Sequence, residues 1–165
     1  MTSSSAITIN PQLDLVIERV VDVPPKLVWT CWTEPRHVVK WFTPAPWKTV
    51  DCEIDLRPGG MFHWVMQSPE GEQFPNTACY LEVVPERRLI WTDVLQPGYR
   101  PAPNTILVGL PLTAIITLAP EGKGTRYTAT ALHRNAEERD KHADMGFFEG
   151  WGTALDQLVA YAKTI

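Results

Sequence analysis

From Trp47 to His133 the chain is a succession of strand-length segments separated by short Pro- and Gly-containing turns, and one long amphipathic helix pattern follows it. Short turns join antiparallel neighbours, because parallel strands need crossovers of a dozen residues or more. The segments are Trp47–Arg57, Met61–Ser68, Phe74–Val84, Arg88–Leu95, Leu112–Ala119 and Thr125–His133. Between them stand Pro58-Gly59-Gly60, Pro69-Glu70-Gly71-Glu72, Pro85-Glu86-Arg87 and Glu121-Gly122-Lys123-Gly124. An antiparallel sheet must bury one face, and the C-terminal helix is the longest element available to cover it.

The remaining segments fit that plan. Leu13–Asp22 is β-branched and partly alternating, which predicts a strand, and Pro24-Pro25 ends it and opens a short helix over Lys26–Trp32. Thr33 is expected to cap a second short helix, with Pro35 in its first turn and Val38, Val39, Trp41 and Phe42 supplying apolar weight. Residues 1–11 read as a flexible leader and residues 12–165 as a single domain. Gln96–Pro111 holds four prolines without apolar periodicity, a pattern that suits either a lid or a mobile connection.

Asn135-Ala-Glu-Glu138 is a capping-box pattern, and Leu155, Leu158, Val159 and Ala162 follow at helical spacing. The expected helix runs from about Ala136 to Lys163. Gly146, Gly150 and Gly152 lie inside it, and each costs ~1 kcal/mol relative to alanine. Close packing against the sheet explains such glycines, and so does space kept for a ligand.

Composition narrows the function classes. With 165 residues, 44% hydrophobic and 21% charged, the chain suits one globular core, and its apolar runs fall short of a membrane span. The first ten residues lack a basic start and an apolar stretch, so a cytoplasmic location is expected. A net charge of −4 with scattered basic residues leaves no nucleic-acid footprint. Cys31, Cys52 and Cys79 are too widely spaced for a CxxC metal site and read as buried, reduced thiols. No cofactor motif is present, and the spacing of His133 and His142 matches no metal-ligand pattern. The unusual item is seven tryptophans, which suit a core and an aromatic-lined pocket alike.

Several motifs resemble one family closely. Val23-Pro-Pro-Lys-Leu-Val-Trp29, Trp32-Thr-Glu-Pro35, Trp41-Phe42, Arg57-Pro-Gly-Gly60, Glu82-Val-Val-Pro-Glu-Arg-Arg-Leu89 and Gly150-Trp151…Leu155…Leu158 look like the bacterial branch of the START-like, or SRPBCC, superfamily named for the activator of heat-shock protein 90 ATPase. The resemblance implies an α+β helix-grip fold: a curved antiparallel sheet of six to seven strands around a long C-terminal helix, with two short helices between the first two strands. It also implies a ligand cavity between sheet and helix. Met145-Gly-Phe-Phe-Glu-Gly-Trp151 is similar to one subgroup of that branch, but Phe148 stands where the subgroup places a polar residue, often histidine. A mechanism that needs this group does not transfer to the present chain.

Strand alternation then selects the inward residues. Phe62, Trp64 and Met66 form an apolar set, and Trp91, Tyr80 and Tyr127 join them. From the helix come His142, Met145 and Trp151. These nine are the expected contacts of a small hydrophobic molecule. His133, oriented by Asp93 or Glu149, is the candidate acid–base group for a cyclase- or dehydratase-like reaction, resembling the polyketide cyclases of the superfamily. That scheme requires His133 or His142 within ~2.6–3.2 Å of Asp93 or Glu149. For His142 an ordinary helix-surface pair with Glu138 competes. A third reading, docking on a partner ATPase, calls for an exposed apolar patch near an edge strand or Trp29 and Trp32, which also suits a homodimer.

Overall fold

The computed structural model describes residues 7–103 and 110–165. The inner part of the Gln96–Pro111 connection and the start of the leader lie outside those residues. In chain order the elements are β1 (Asp14–Val21), α1 (Pro25–Thr33), α2 (Pro35–Trp41), β2 (Lys48–Ile54), β3 (Met61–Gln67), β4 (Gln73–Val84), β5 (Arg88–Thr92), β6 (Leu95–Gln96), β7 (Arg100–Pro101), β8 (Thr113–Glu121), β9 (Gly124–Leu132), α3 (Ala136–Asp144) and α4 (Phe147–Ala162). No helix among the described residues is long and apolar enough to cross a membrane.

Seven strands form one antiparallel sheet in the order β1-β9-β8-β5-β4-β3-β2, and β6 pairs with β7 in a separate two-stranded ribbon. Because β1 and β2 lie on opposite edges, the two short helices must cross the sheet to connect them. Register shifts between Thr49 and Asp51 in β2 and between Tyr80 and Glu82 in β4 mark bulges. Bulges add local bend and twist, which helps a sheet curl around a helix. The concave face carries Leu15, Phe62, Trp64, Ala78, Tyr80, Leu89, Trp91, Ala114, Ile116, Tyr127, Ala129 and Ala131 in one core cluster with Leu155, Leu158 and Ala162 of α4. This is the helix-grip architecture.

Local chemistry sets the helix starts. Pro25 and Pro35 each occupy the opening turn of a helix, where a missing N–H leaves no bond unmade. The N-cap position of the second helix is Glu34, whose side chain makes no capping hydrogen bond, and the Thr33 hydroxyl expected there instead donates to the Trp29 carbonyl at 2.7 Å. Asn135 does cap α3, its side chain accepting from the Glu138 N–H at 2.9 Å.

The C-terminal helix is broken, not continuous. Gly146, at φ 95°, separates α3 from α4 in a left-handed conformation that only glycine adopts without strain. The other two glycines do different things. A Cβ on Gly152 would meet the Arg19 guanidinium, which reaches over from β1 to pair with Asp156 at 2.9 Å. A Cβ on Gly150 would meet nothing within 4 Å. Strand β5 also stops three residues short of Leu95, where the chain turns into the β6–β7 ribbon, and Trp47 lies just outside β2.

Candidate functional site

A cavity of about 460 Å3 opens between the concave sheet and the N-terminal half of α4. Trp64, Met66, Trp91 and Tyr127 form its sheet wall, and Met145, Gly150, Trp151, Ala154 and Leu155 its helix wall. Trp32 of α1, Trp41 of α2 and the adjoining Phe42, Thr43 and Pro44 close the third side. The volume is in the range of small-molecule pockets. Gly150 is among the lining residues and adds no side chain to the wall, and a Cβ built there would meet nothing within 4 Å.

Six of the nine expected contact residues meet here: Trp64, Met66, Trp91, Tyr127, Met145 and Trp151. Phe62 and Tyr80 are on the predicted face but lie beneath the wall, fully buried and stacked on each other with centroids 5.5 Å apart. Aromatic neighbours cover Phe62, with Phe42, Trp64 and Trp91 rings all within 5.5 Å. Among the described residues the buried hydroxyl of Tyr80, near the Cys52 thiol, has no hydrogen-bond partner, and burial holds it protonated. Trp91 Nε1 is likewise unpartnered. The Phe62 and Trp64 rings meet the Trp91 indole edge-to-face, each with centroids 5.5 Å away.

The contribution of α1 and α2 was the part that strand alternation did not reveal. Trp32, Trp41 and Phe42 occur at helical spacing, which by itself signals packing. Their arrangement around the cavity follows from the crossover that brings both helices over the sheet. Trp32 Nε1–H donates to Tyr127 Oη at 3.2 Å, linking two cavity walls.

The proposed acid–base group is not assembled. His133 lies at the end of β9 with Nδ1 2.8 Å from the Leu13 carbonyl and Nε2 2.8 Å from His142 Nδ1. A carbonyl only accepts, so His133 Nδ1 carries the proton, and in the neutral pair His142 Nδ1–H donates to His133 Nε2. Neither ring lines the cavity; His142 packs edge-on against Phe147, with centroids 5.1 Å apart, and lies 6.2 Å from the ring of Trp151, which does line it. Asp93 accepts from the Leu112 N–H at 3.0 Å, and Leu112 continues the register of β8, so two strand spacings of ~4.8 Å separate it from the β9 line that ends in His133. Burial raises the Asp93 carboxyl against the opposing pull of that bond. Glu149 is exposed in the first turn of α4. The helix-surface alternative for His142 fails as well, because Glu138 pairs with Arg134, whose Nε lies 2.9 Å away.

Burial, and then repulsion from His133, push His142 down to about 4. The folded state therefore takes up this proton less readily than the unfolded chain, whose imidazole titrates near ~6.5. Stability is complete above that pH and declines as pH falls from ~6.5 towards 4. The ring is partly exposed, which reduces the full effect to about 1 kcal/mol between pH 7 and pH 5. Urea unfolding at the two pH values is expected to show this loss in the wild type and not in His142→Gln. Equal pH dependence in both chains counts against the neutral His–His contact.

The three cysteines are buried and free. Burial raises Cys31 to about 11 and Cys52 to about 12, so neither supplies a thiolate near neutral pH. Among the described residues no group of three His, Cys, Asp or Glu side chains is placed to hold a metal ion.

Residues 22–163 match the family model described as activator of Hsp90 ATPase homolog 1-like protein. The chain belongs to that family, consistent with a place in the START-like superfamily. No curated protein matches it. Among solved structures, a crystal structure of a protein from Nitrosomonas europaea is 50% identical, with 94% of this chain and 97% of that one covered and a TM-score of 0.89. A protein from Mycobacterium smegmatis is 26% identical over 90% of each chain, with a TM-score of 0.73. One from Rhodobacter sphaeroides, 20% identical over 97% of this chain and 99% of its own, shares the fold with a TM-score of 0.81.

Proposed function

We propose that this chain binds a small hydrophobic molecule in the space between the sheet and α4. The observation that carries the reading is an aromatic-walled cavity of about 460 Å3, to whose lining Gly150 adds no side chain. Burying an apolar ligand there removes its surface from water at ~25 cal/mol per Å2, and the rigid rings of the wall lose little side-chain entropy in the process. A cyclase or dehydratase activity has less support, because neither histidine meets Asp93 or Glu149 and none of these groups lines the cavity.

The family description names an ATPase activator, and a partner-docking role would use exposed apolar side chains. Met145 and Phe148, 70% and 51% exposed, are such side chains, but Met145 also lines the cavity, which favours a ligand entrance at that place. The test is to purify the protein without detergent, extract it with organic solvent and identify released molecules by mass spectrometry. A stoichiometric apolar compound is expected. Repeated recovery of none, together with failure of neutral apolar probes to bind, sinks the reading.

A further inference from the structure

Among the described residues no charged side chain lines the cavity, yet one lining hydroxyl has an uncommitted proton. Tyr127 is 3% exposed, and its Oη accepts the Trp32 Nε1–H. Among the described residues no oxygen or nitrogen accepts the Tyr127 O–H in return. Both Trp32 and Tyr127 line the cavity, so their hydrogen bond lies in the wall itself. The accepted bond positions Tyr127 Oη, while the O–H remains free to rotate towards an acceptor.

We propose that the site selects uncharged aromatic carbonyl compounds and holds the carbonyl oxygen on the Tyr127 hydroxyl. This rests on the binding reading above and adds a ligand class to it. Charge is disfavoured because a carboxylate or ammonium group entering this cavity would lose water and find no counter-ion among its lining residues. Flat aromatic ligands are favoured because Trp32, Trp41, Phe42, Trp64, Trp91 and Trp151 offer ring faces and edges on every side. A donor is available, and it is a stable one: burial raises the Tyr127 hydroxyl far above neutral pH, so it stays protonated. A ligand oxygen would meet a buried donor that has no competing protein acceptor, and a ligand lacking oxygen would leave that donor unused.

Three matched probes test the proposal: fluorenone, fluorene and fluorene-9-carboxylate, titrated into wild type and Tyr127→Phe and followed by tryptophan fluorescence. Fluorenone is expected to bind the wild type roughly three- to tenfold more tightly than fluorene, as one neutral hydrogen bond allows. In Tyr127→Phe the ratio of fluorenone to fluorene affinity should fall to about one. The carboxylate should bind at least roughly tenfold more weakly than fluorene. Since the substitution also removes the acceptor of Trp32, the infrared carbonyl stretch of fluorenone bound to the wild type gives an independent reading, expected at lower frequency than in hydrocarbon solvent. Equal binding of fluorenone and fluorene with an unshifted stretch overturns the carbonyl assignment and leaves the cavity reading standing. Tight binding of the carboxylate overturns the selection for neutral ligands. Absence of binding by all three overturns the binding reading itself.

Discussion

Replacing Phe62 with alanine is expected to destabilise the protein by about 3–5 kcal/mol, the range for removing a fully buried aromatic side chain. Phe62 has no exposed surface and contacts the rings of Phe42, Trp64, Tyr80 and Trp91, so its loss removes the floor on which the cavity wall rests. At roughly 2–4 °C per kcal/mol for a chain of this size, the melting temperature should fall by about 6–20 °C. Phe148→Ala supplies the contrast. That ring is 51% exposed on α4, and its removal should change stability by no more than about 0.5 kcal/mol. Denaturant unfolding of the two variants separates floor from rim; comparable losses in both would place the core elsewhere than described.

The second large effect concerns binding. Gly150→Trp is expected to place an indole in the cavity that Gly150 lines, at a position where a Cβ has no neighbour within 4 Å. Tryptophan also has a higher helix propensity than glycine, so the fold should be retained or slightly stabilised. With much of the 460 Å3 filled, affinity for a neutral apolar dye such as Nile red should fall roughly 100-fold or more, about 2.7 kcal/mol. Gly150→Ala adds one methyl group and should weaken binding far less. Unchanged dye affinity in the tryptophan variant, with an intact circular dichroism spectrum, would show that the dye binds somewhere else.

Most of the architecture was legible because its causes are local. Turn residues such as Pro58-Gly59-Gly60 separate the strands, Pro25 and Pro35 open helices, and Asn135 caps one. The break at Gly146 was legible only in part: three glycines in one helix pattern signalled an exception, but their separate roles depend on tertiary neighbours. Gly152 faces Arg19 on β1, far away in sequence, and Gly150 faces empty space. Alternation identified the concave face correctly for Phe62, Trp64 and Met66, yet it could not separate the wall from the floor. That distinction depends on which rings other rings cover.

The polar set failed for a related reason. His133, Asp93 and Glu149 each stand near the end of an element, and spacing along the chain says nothing about whether such ends converge. Strand order places two spacings between the lines of Asp93 and His133, and the α3–α4 break leaves Glu149 in solvent. His142 instead meets His133 across the turn from β9 to α3, a contact that gives the elbow before α4 a polar anchor.

The seven tryptophans that stood out in the composition are also the best reporters of the site. Trp32, Trp41, Trp64, Trp91 and Trp151 line the cavity, whereas Trp29 and Trp47 do not. A 1H–15N correlation spectrum recorded while fluorenone is titrated resolves each indole Nε1–H separately. The largest shifts are expected for those five indoles, with those of Trp29 and Trp47 nearly stationary. Shifts confined to Trp29 and Trp47, or no shift in any indole at probe saturation, would contradict a ligand site between the sheet and α4.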